Sequence, residues 1–202
     1  CIRDRLISNC SELKSLKCYD NQLNELDVIN NQKLTYLDCR GNSITEINIS
    51  KNINLDYFYC SNTTMPITSV NGILKIGYCI DIDGNNGIIY ELEENHHGKA
   101  ISINESGRME WVDGVEEWCE QLGATWKLPS KEELLQVYYN KNILNQSLQK
   151  VGYPLLSGSY WAAADSTDIT YHYAFSVSFD SGYVRHISAA GHSENTRAVC
   201  EF

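Results

Sequence analysis

The chain has 202 residues, 16 basic and 26 acidic, for a formal net charge of −10. That balance argues against a nucleic-acid or anionic-membrane partner, because both select clustered Lys and Arg. Hydrophobic residues at 43% and charged residues at 21% argue against disorder, and no stretch approaches the roughly 20 apolar residues of a membrane helix. The charge is unevenly divided: residues 1–76 carry 8 basic and 8 acidic residues, and 77–202 carry 8 and 18. Two units meeting near residue 76 are expected.

The first segment repeats itself. Leu13, Leu34 and Leu55 are spaced by 21 residues, as are Leu16, Leu37 and Phe58, and Cys18, Cys39 and Cys60. Leu23, Ile44 and Met65 follow the same period, as do Val28, Ile49 and Val70, while Asn21 and Asn42 align with Thr63. The in–out alternation around Leu16, Leu37 and Phe58 predicts short strands stacked as a parallel ladder. Leu26, Val28, Ile47, Ile49 and Val70 form a second apolar set that closes each coil. Asn21 and Asn42 are expected to bond the backbone leaving each strand. The pattern L-x-x-L-x-C-x-x-N-x-L resembles the leucine-rich repeat at its short end of length, which implies a small solenoid of about three copies from residue 13. Residues 1–12 read as part of an earlier copy. The cysteines at 18, 39 and 60 share the structural period and read as buried small hydrophobes rather than metal ligands. Cys10 holds the position of Asn31 and Asn52, and Cys1 and Cys79 have no assigned partner. Ser15, Lys17, Asp38, Arg40 and Ser61 should point outward with Tyr19, Tyr36, Tyr57 and Tyr59, whose four rings make a second candidate ligand face.

Beyond residue 76 the pattern changes. Residues 77–93 alternate and turn at Gly84-Asn85-Asn86-Gly87, a hairpin signal. Asp81, Asp83 and Asn85 mimic the first ligands of a calcium loop, but its glycine would fall at Asn86 and its bidentate Glu at Leu92, so no calcium or other metal site is expected. Asp113 can cap a helix whose apolar face is Val115, Trp118, Cys119 and Leu122, ended by Gly123. Ser130 to Glu133 form a capping box that opens a second helix with Leu134, Leu135 and Tyr138 inward. A short third helix is predicted over 142–150. Strands are predicted over 160–162, 173–179, 182–187 and 197–202, giving an α+β class.

The strings Cys119-x-x-x-Gly123-Ala124, Trp126-Lys-Leu-Pro-Ser130, Glu132-Glu133-Leu134, Tyr160-Trp161 and Val199-Cys200-Glu201-Phe202 resemble a bacterial C-type-lectin-like domain over 77–202. Similar strings occur in the variable proteins of diversity-generating retroelements and, distantly, in formylglycine-generating enzymes. In that family a helix cysteine is often joined to one near the C-terminus, so the resemblance implies a Cys119–Cys200 disulfide; the alternative is two buried thiols in a chain that is not exported. The family's calcium-holding triplets Glu-Pro-Asn, Gln-Pro-Asp and Trp-Asn-Asp do not occur here, so calcium-dependent sugar binding does not carry over. In the retroelement-diversified relatives, contacts lie on the strand-rich C-terminal face. The matching stretch offers Tyr160, Asp165, Asp168, Tyr171, His172, Tyr173, Tyr183, Arg185, His186 and His192 as candidate ligand-binding residues. Phe175, Val177 and Phe179 should face the core, with Ser176, Ser178 and Asp180 outside.

No catalytic set is visible. His172, His186 and His192 do not converge by spacing on a nucleophile, His96 and His97 would point to opposite sides of a strand, and the reactive cysteine pair of the formylglycine-generating relatives is missing. The expected protein is a non-catalytic, adhesin-like binder of a protein or glycan ligand, with no cofactor, located outside the cell or on a bacterial cell surface. No leader is visible, and Cys1 is a candidate for carrying a lipid. The alternatives are an assembly role, in which the second unit caps a longer repeat array, and an enzyme of the formylglycine-generating type.

Overall fold

A computed structural model describes residues 7–60, 70–82, 84–93, 97–111, 114–164 and 173–202. It mixes helices and strands in two compact units, Cys1–Gly98 with Phe202, and Lys99–Glu201. These two units divide near residue 98. The hairpin after residue 76 belongs with the repeats because its first strand extends their ladder.

In the first unit β1 (Ser15–Lys17), β2 (Tyr36–Asp38) and β4 (Tyr57–Tyr59) pair in parallel. The register Ser15↔Tyr36↔Tyr57 places residues 21 apart side by side. β3 (Ile47–Asn48), which follows β2, and β5 (Val70–Asn71), which follows β4, make a second short parallel pair built from the second apolar set. Leu16, Leu37 and Phe58 point inward with Leu34, Leu55, Ile44, Val28 and Ile49, and all are buried. Ser61, Thr63 and Met65 lie outside the described residues.

Polar side chains stitch consecutive coils. Asn42 Nδ2 donates to the carbonyls of Cys18 and Cys39 at 3.0 and 2.8 Å, while its Oδ1 accepts from Leu23 N at 3.1 Å. Asn21 bonds within its own coil, to the Cys18 and Tyr19 carbonyls. On the opposite side, Asn31 donates to the Ile7 and Cys10 carbonyls, and Asn52 repeats the device on Val28 and Asn31. The thiols form a third series: Cys18 Sγ donates to Asp38 O at 3.5 Å, Cys39 to Tyr59 O at 3.4 Å and Cys60 to Cys79 O at 3.9 Å. Burial pushes the Cys18 thiol up to about 11 and raises Cys39 and Cys60 as well. These are inert, structural cysteines.

Cys79 gains its role here. It opens β6 (Cys79–Ile82), which pairs in parallel with β4 at Tyr59↔Cys79, a spacing of 20 rather than 21. Strand β7 (Asn85–Leu92) folds back antiparallel on β6, closing between Ile82 and Asn85. Asn85 to Gly87 therefore lie in the strand, one step beyond the turn expected from sequence. Gly84, at φ 83°, supplies the left-handed turn residue, and its N–H donates to Asp81 Oδ1.

The second unit contains β8 (Gly98–Ser102), β9 (Met109–Glu110), α1 (Val115–Glu120), α2 (Lys131–Tyr139), α3 (Lys141–Val151), β10 (Ser159–Ala162), β11 (Tyr173–Ser178), β12 (Val184–Ser188), β13 (Ser193–Glu194) and β14 (Val199–Glu201). Strands β10, β11 and β12 form an antiparallel sheet, β8 pairs with β14, and β9 with β13. The capping box of α2 is present: Glu133 N donates to Ser130 Oγ, and Ser130 N to Glu133 Oε2. Helix α1 has Gly114 at its N-cap with no side-chain cap; the expected cap, Asp113, lies outside the described residues. Helices α2 and α3 meet at Asn140, and Gly152 ends α3 in the left-handed conformation.

Arg197 organises this unit. It is fully buried, and donates to the carbonyls of Ser102 (2.9 Å), Ile103 (2.8 Å) and Pro154 (2.6 Å) and to Glu105 Oε2 (3.3 Å). Tyr160 joins from the sheet, its hydroxyl donating to the same Glu105 oxygen at 3.0 Å. Cys119 and Cys200 are not joined in a disulfide in this structure. Cys119 sits on the buried side of α1, where burial pushes its thiol up to about 12, and Cys200 lies in β14 opposite Ala100. Each fills an apolar position as a small hydrophobe.

Candidate functional site

Strand register decides which candidate residues share a face. Phe175 pairs with His186, Ser176 with Arg185 and with Trp161, and Tyr160 with Val177. Tyr160, Phe175, Val177 and His186 therefore project from one side of the sheet, and Trp161, Ser176 and Arg185 from the other. Helix α2 packs on the first side. Tyr160 is buried there, 4.9 Å from the Phe179 ring, and burial raises its phenol pKa. It is a core residue.

Beyond the N-terminus of α2 the same side carries rings in contact with solvent. His186 stacks on Phe175 at 4.9 Å and 29°, and Tyr173 tilts against His186 at 5.2 Å. Tyr173 and His186 are exposed and Phe175 is half-buried. Lys131 Nζ lies 4.4 Å from the Phe175 ring centroid, a cation–π contact that ends the row. Next to it is a small cavity of about 90 Å³, lined by Ser130, Lys131, Glu132, Ala163, Ala164 and Phe175. Lys131 and Glu132 face each other across 3.7 Å.

The other predicted residues do not join this row. Arg185 lies on the opposite side, where Nη2 donates to Glu194 Oε1 at 2.7 Å and to Ser159 Oγ at 2.9 Å. Ser176 is buried in that cluster instead of facing solvent, its hydroxyl donating to Glu194 Oε1 at 3.4 Å and accepting from Arg185 Nη2 at 3.4 Å. Val177 and Phe179 are buried and Asp180 exposed, as alternation predicts, but Phe175 reaches the surface. Tyr183 is exposed in the β11–β12 loop, and His192 is exposed before β13. Gly182 shapes that loop: at φ 73° it lies against Tyr138, where a Cβ would come within 2.6 Å of the ring. Asp165, Asp168, Tyr171 and His172 lie outside the described residues. Sequence reasoning missed Lys131, placed only as a helix residue, and Phe175, assigned to the core.

The ladder face of the first unit is more constrained than expected. Tyr19 is exposed, Tyr36 and Tyr57 are half-buried, and Tyr59 is buried. Tyr59 is covered because Arg40 lies 5.5 Å from its ring and Tyr36 5.6 Å, with β6 pairing alongside. Asp38, expected outside, is also buried, gripped by Arg40 through Nε at 2.8 Å and Nη2 at 2.7 Å. Burial first and Asp38 second push the Tyr36 phenol pKa up.

Among the described residues no group of three or more His, Cys, Asp or Glu side chains could hold a metal ion. No helix among them is long and apolar enough to cross a membrane. No family model matches the chain, and no curated protein matches it.

Proposed function

We propose that the chain is a non-catalytic binding protein in which short leucine-rich repeats are joined to a C-type-lectin-like unit. It recognises a protein or glycan ligand without calcium, outside the cell or on a bacterial cell surface. The repeat reading is supported by the 21-residue register of β1, β2 and β4, and the lectin-like reading by the Trp126–Ser130 and Tyr160–Trp161 strings. The observation that carries the function is the row Tyr173–His186–Phe175, two of whose rings are exposed on the strand pair β11–β12. Aromatic rings left in water on a rigid strand pair supply contact area at low entropy cost. The test is binding of the intact chain to glycan and protein arrays, compared with Tyr173→Ala and His186→Ala. Loss of the bound ligand in both variants is expected; undiminished binding would remove this face from the reading.

An assembly role is favoured by a separate feature. Among the described residues β1 is an edge strand, and Leu13 in its coil is half-buried where Leu34 and Leu55 are buried. Such an edge can take a further rung, and concentration-dependent sedimentation of the chain reads it directly.

A further inference from the structure

We infer that Asn48 is an acceptor for an N-linked glycan, in a chain exported as proposed above. The inference uses that location and is independent of the aromatic row.

The string Glu46-Ile47-Asn48-Ile49-Ser50 contains the Asn-x-Ser pattern of an N-glycosylation acceptor. So short a pattern recurs along the chain, and the fold separates this copy from the others. Strand β3 puts Glu46, Asn48 and Ser50 on the outward side of the coil and buries Ile47 and Ile49 at 3% and 4% exposure. The side chains that a transferase would read therefore stand together, and the positions that the pattern leaves free are those the core uses. Asn48 also lines an open groove of about 330 Å³ with Glu46 and Asn71, which leaves room for a first sugar ring beside the coil.

Hydrogen bonding prepares the amide. Asn48 Oδ1 accepts from Ser50 N at 3.0 Å and from Ser50 Oγ at 2.6 Å, while its Nδ2 has no partner among the described residues. Two donors on the oxygen draw electron density from the nitrogen and make its proton easier to lose. The transfer is a displacement. Asn48 Nδ2 attacks the anomeric carbon of a lipid-pyrophosphate-linked oligosaccharide, and the bond from that carbon to the phosphate oxygen breaks. The lipid pyrophosphate leaves with the electron pair, and the proton of the nitrogen passes to a base of the transferase. Glu46, exposed beside the reacting residue, offers the enzyme a carboxylate that a Lys or Arg can grip.

The other copies of the pattern are less available. Asn145 in α3 is spent on Leu156, donating to its carbonyl and accepting from its N–H, and Ser147 is buried. Ser106, the hydroxyl residue of the Asn104 copy, donates to the Gly107 carbonyl and accepts from Thr196 N. Asn9 has Ile7 where Asn48 has Glu46, and Asn62 lies outside the described residues.

The experiment incubates the purified, folded full chain with a bacterial oligosaccharyltransferase and a lipid-pyrophosphate-linked oligosaccharide. The product is read by intact mass and by sequencing of the glycopeptide. A gain of one glycan, carried on Asn48, is expected. Asn48→Gln and Ser50→Ala should abolish it and Ser50→Thr should keep it, with the circular dichroism of the native chain retained in each. Glu46→Gln should slow transfer by about tenfold, the worth of one hydrogen bond to a charged group; a rate indifferent to it would overturn the role of Glu46. No transfer to the folded chain, or transfer to Asn9, Asn104 or Asn145 in place of Asn48, would overturn the inference. That failure with array binding intact leaves the binding reading standing, whereas a chain glycosylated at Asn48 that binds nothing on the arrays removes the binding reading alone.

Discussion

Asp38 and Arg40, two residues apart on the outer side of the repeat ladder, are joined by two hydrogen bonds of 2.8 and 2.7 Å, with the Asp38 carboxylate buried. The pair is further clamped by Tyr19 and Tyr59, whose ring centroids lie 5.9 and 5.5 Å from the guanidinium carbon. The hydrogen bonds to Asp38 raise the Arg40 pKa. The face therefore presents a fixed, neutralised ion pair framed by rings rather than loose charges.

Removing one partner tests this. Arg40→Ala leaves a carboxylate in a site it cannot leave, so a loss of about 3 kcal/mol is expected, the low end for a broken buried pair. The low end applies because the Arg40 side chain is 22% exposed and water can reach part of the gap. Replacing both residues by Leu should restore most of the loss. Urea unfolding midpoints of the single and double variants check it, and a double variant no better than Arg40→Ala would contradict the buried-charge account.

Asn42 is expected to be the most sensitive polar position of the repeats. Its amide closes two coils at once, and its oxygen takes the Leu23 N–H. Asn42→Leu strands these buried groups and should cost about 2–3 kcal/mol. Asn21→Leu, which loses bonds only within one coil, should cost less. Equal losses by thermal denaturation would contradict the cross-coil role.

The parallel register of β1, β2 and β4 was legible because period and burial coincide: Leu16, Leu37 and Phe58 recur every 21 residues and all face inward. Cys79 escaped the same arithmetic because its rung arrives one residue early. Alternation placed Val177 correctly and failed at Ser176, since a period of two predicts exposure only where one side of a strand is open. Arg197, between Thr196 and Ala198, reads as an ordinary strand edge. Its acceptors at 102, 103 and 154 are brought to it only by the tertiary fold. The row of rings depended on the Phe175↔His186 register, which the loop over 179–183 sets, and no spacing rule fixed that loop in advance.

Arg197 should be the most costly single substitution in the second unit. Arg197→Met leaves three carbonyls without their donor and the Glu105 carboxylate without its cation, held by the Tyr160 hydroxyl alone, and a loss of roughly 3–5 kcal/mol is expected. Arg197→Lys should recover little, because a single ammonium cannot span the fork that reaches Ser102, Ile103, Pro154 and Glu105 at once. Thermal unfolding monitored by Trp fluorescence checks both, since Trp126 and Trp161 are buried in this unit. A Lys variant as stable as the native chain would show that charge alone suffices.

The buried thiols set an alkaline limit. Burial holds Cys18 at about 11 and Cys119 at about 12, whereas an unfolded thiol titrates near 8.5. Below that value both states keep the proton, and stability is unaffected. Above it the unfolded chain loses protons that the folded chain retains, so the unfolded state is favoured as pH rises. Stability should therefore fall from about pH 8.5 towards pH 11 or 12, with the Cys18 component lost across that window. Cys18→Ala removes this component at the cost of a lower plateau near neutrality. Denaturation midpoints between pH 7 and 10.5 measure the slope. The same six buried cysteines, Cys18, Cys39, Cys60, Cys79, Cys119 and Cys200, should resist alkylation in the folded chain at pH 8 and react on unfolding without reductant. Failure of Cys119 and Cys200 to react in the unfolded, unreduced chain would mean that they are bridged.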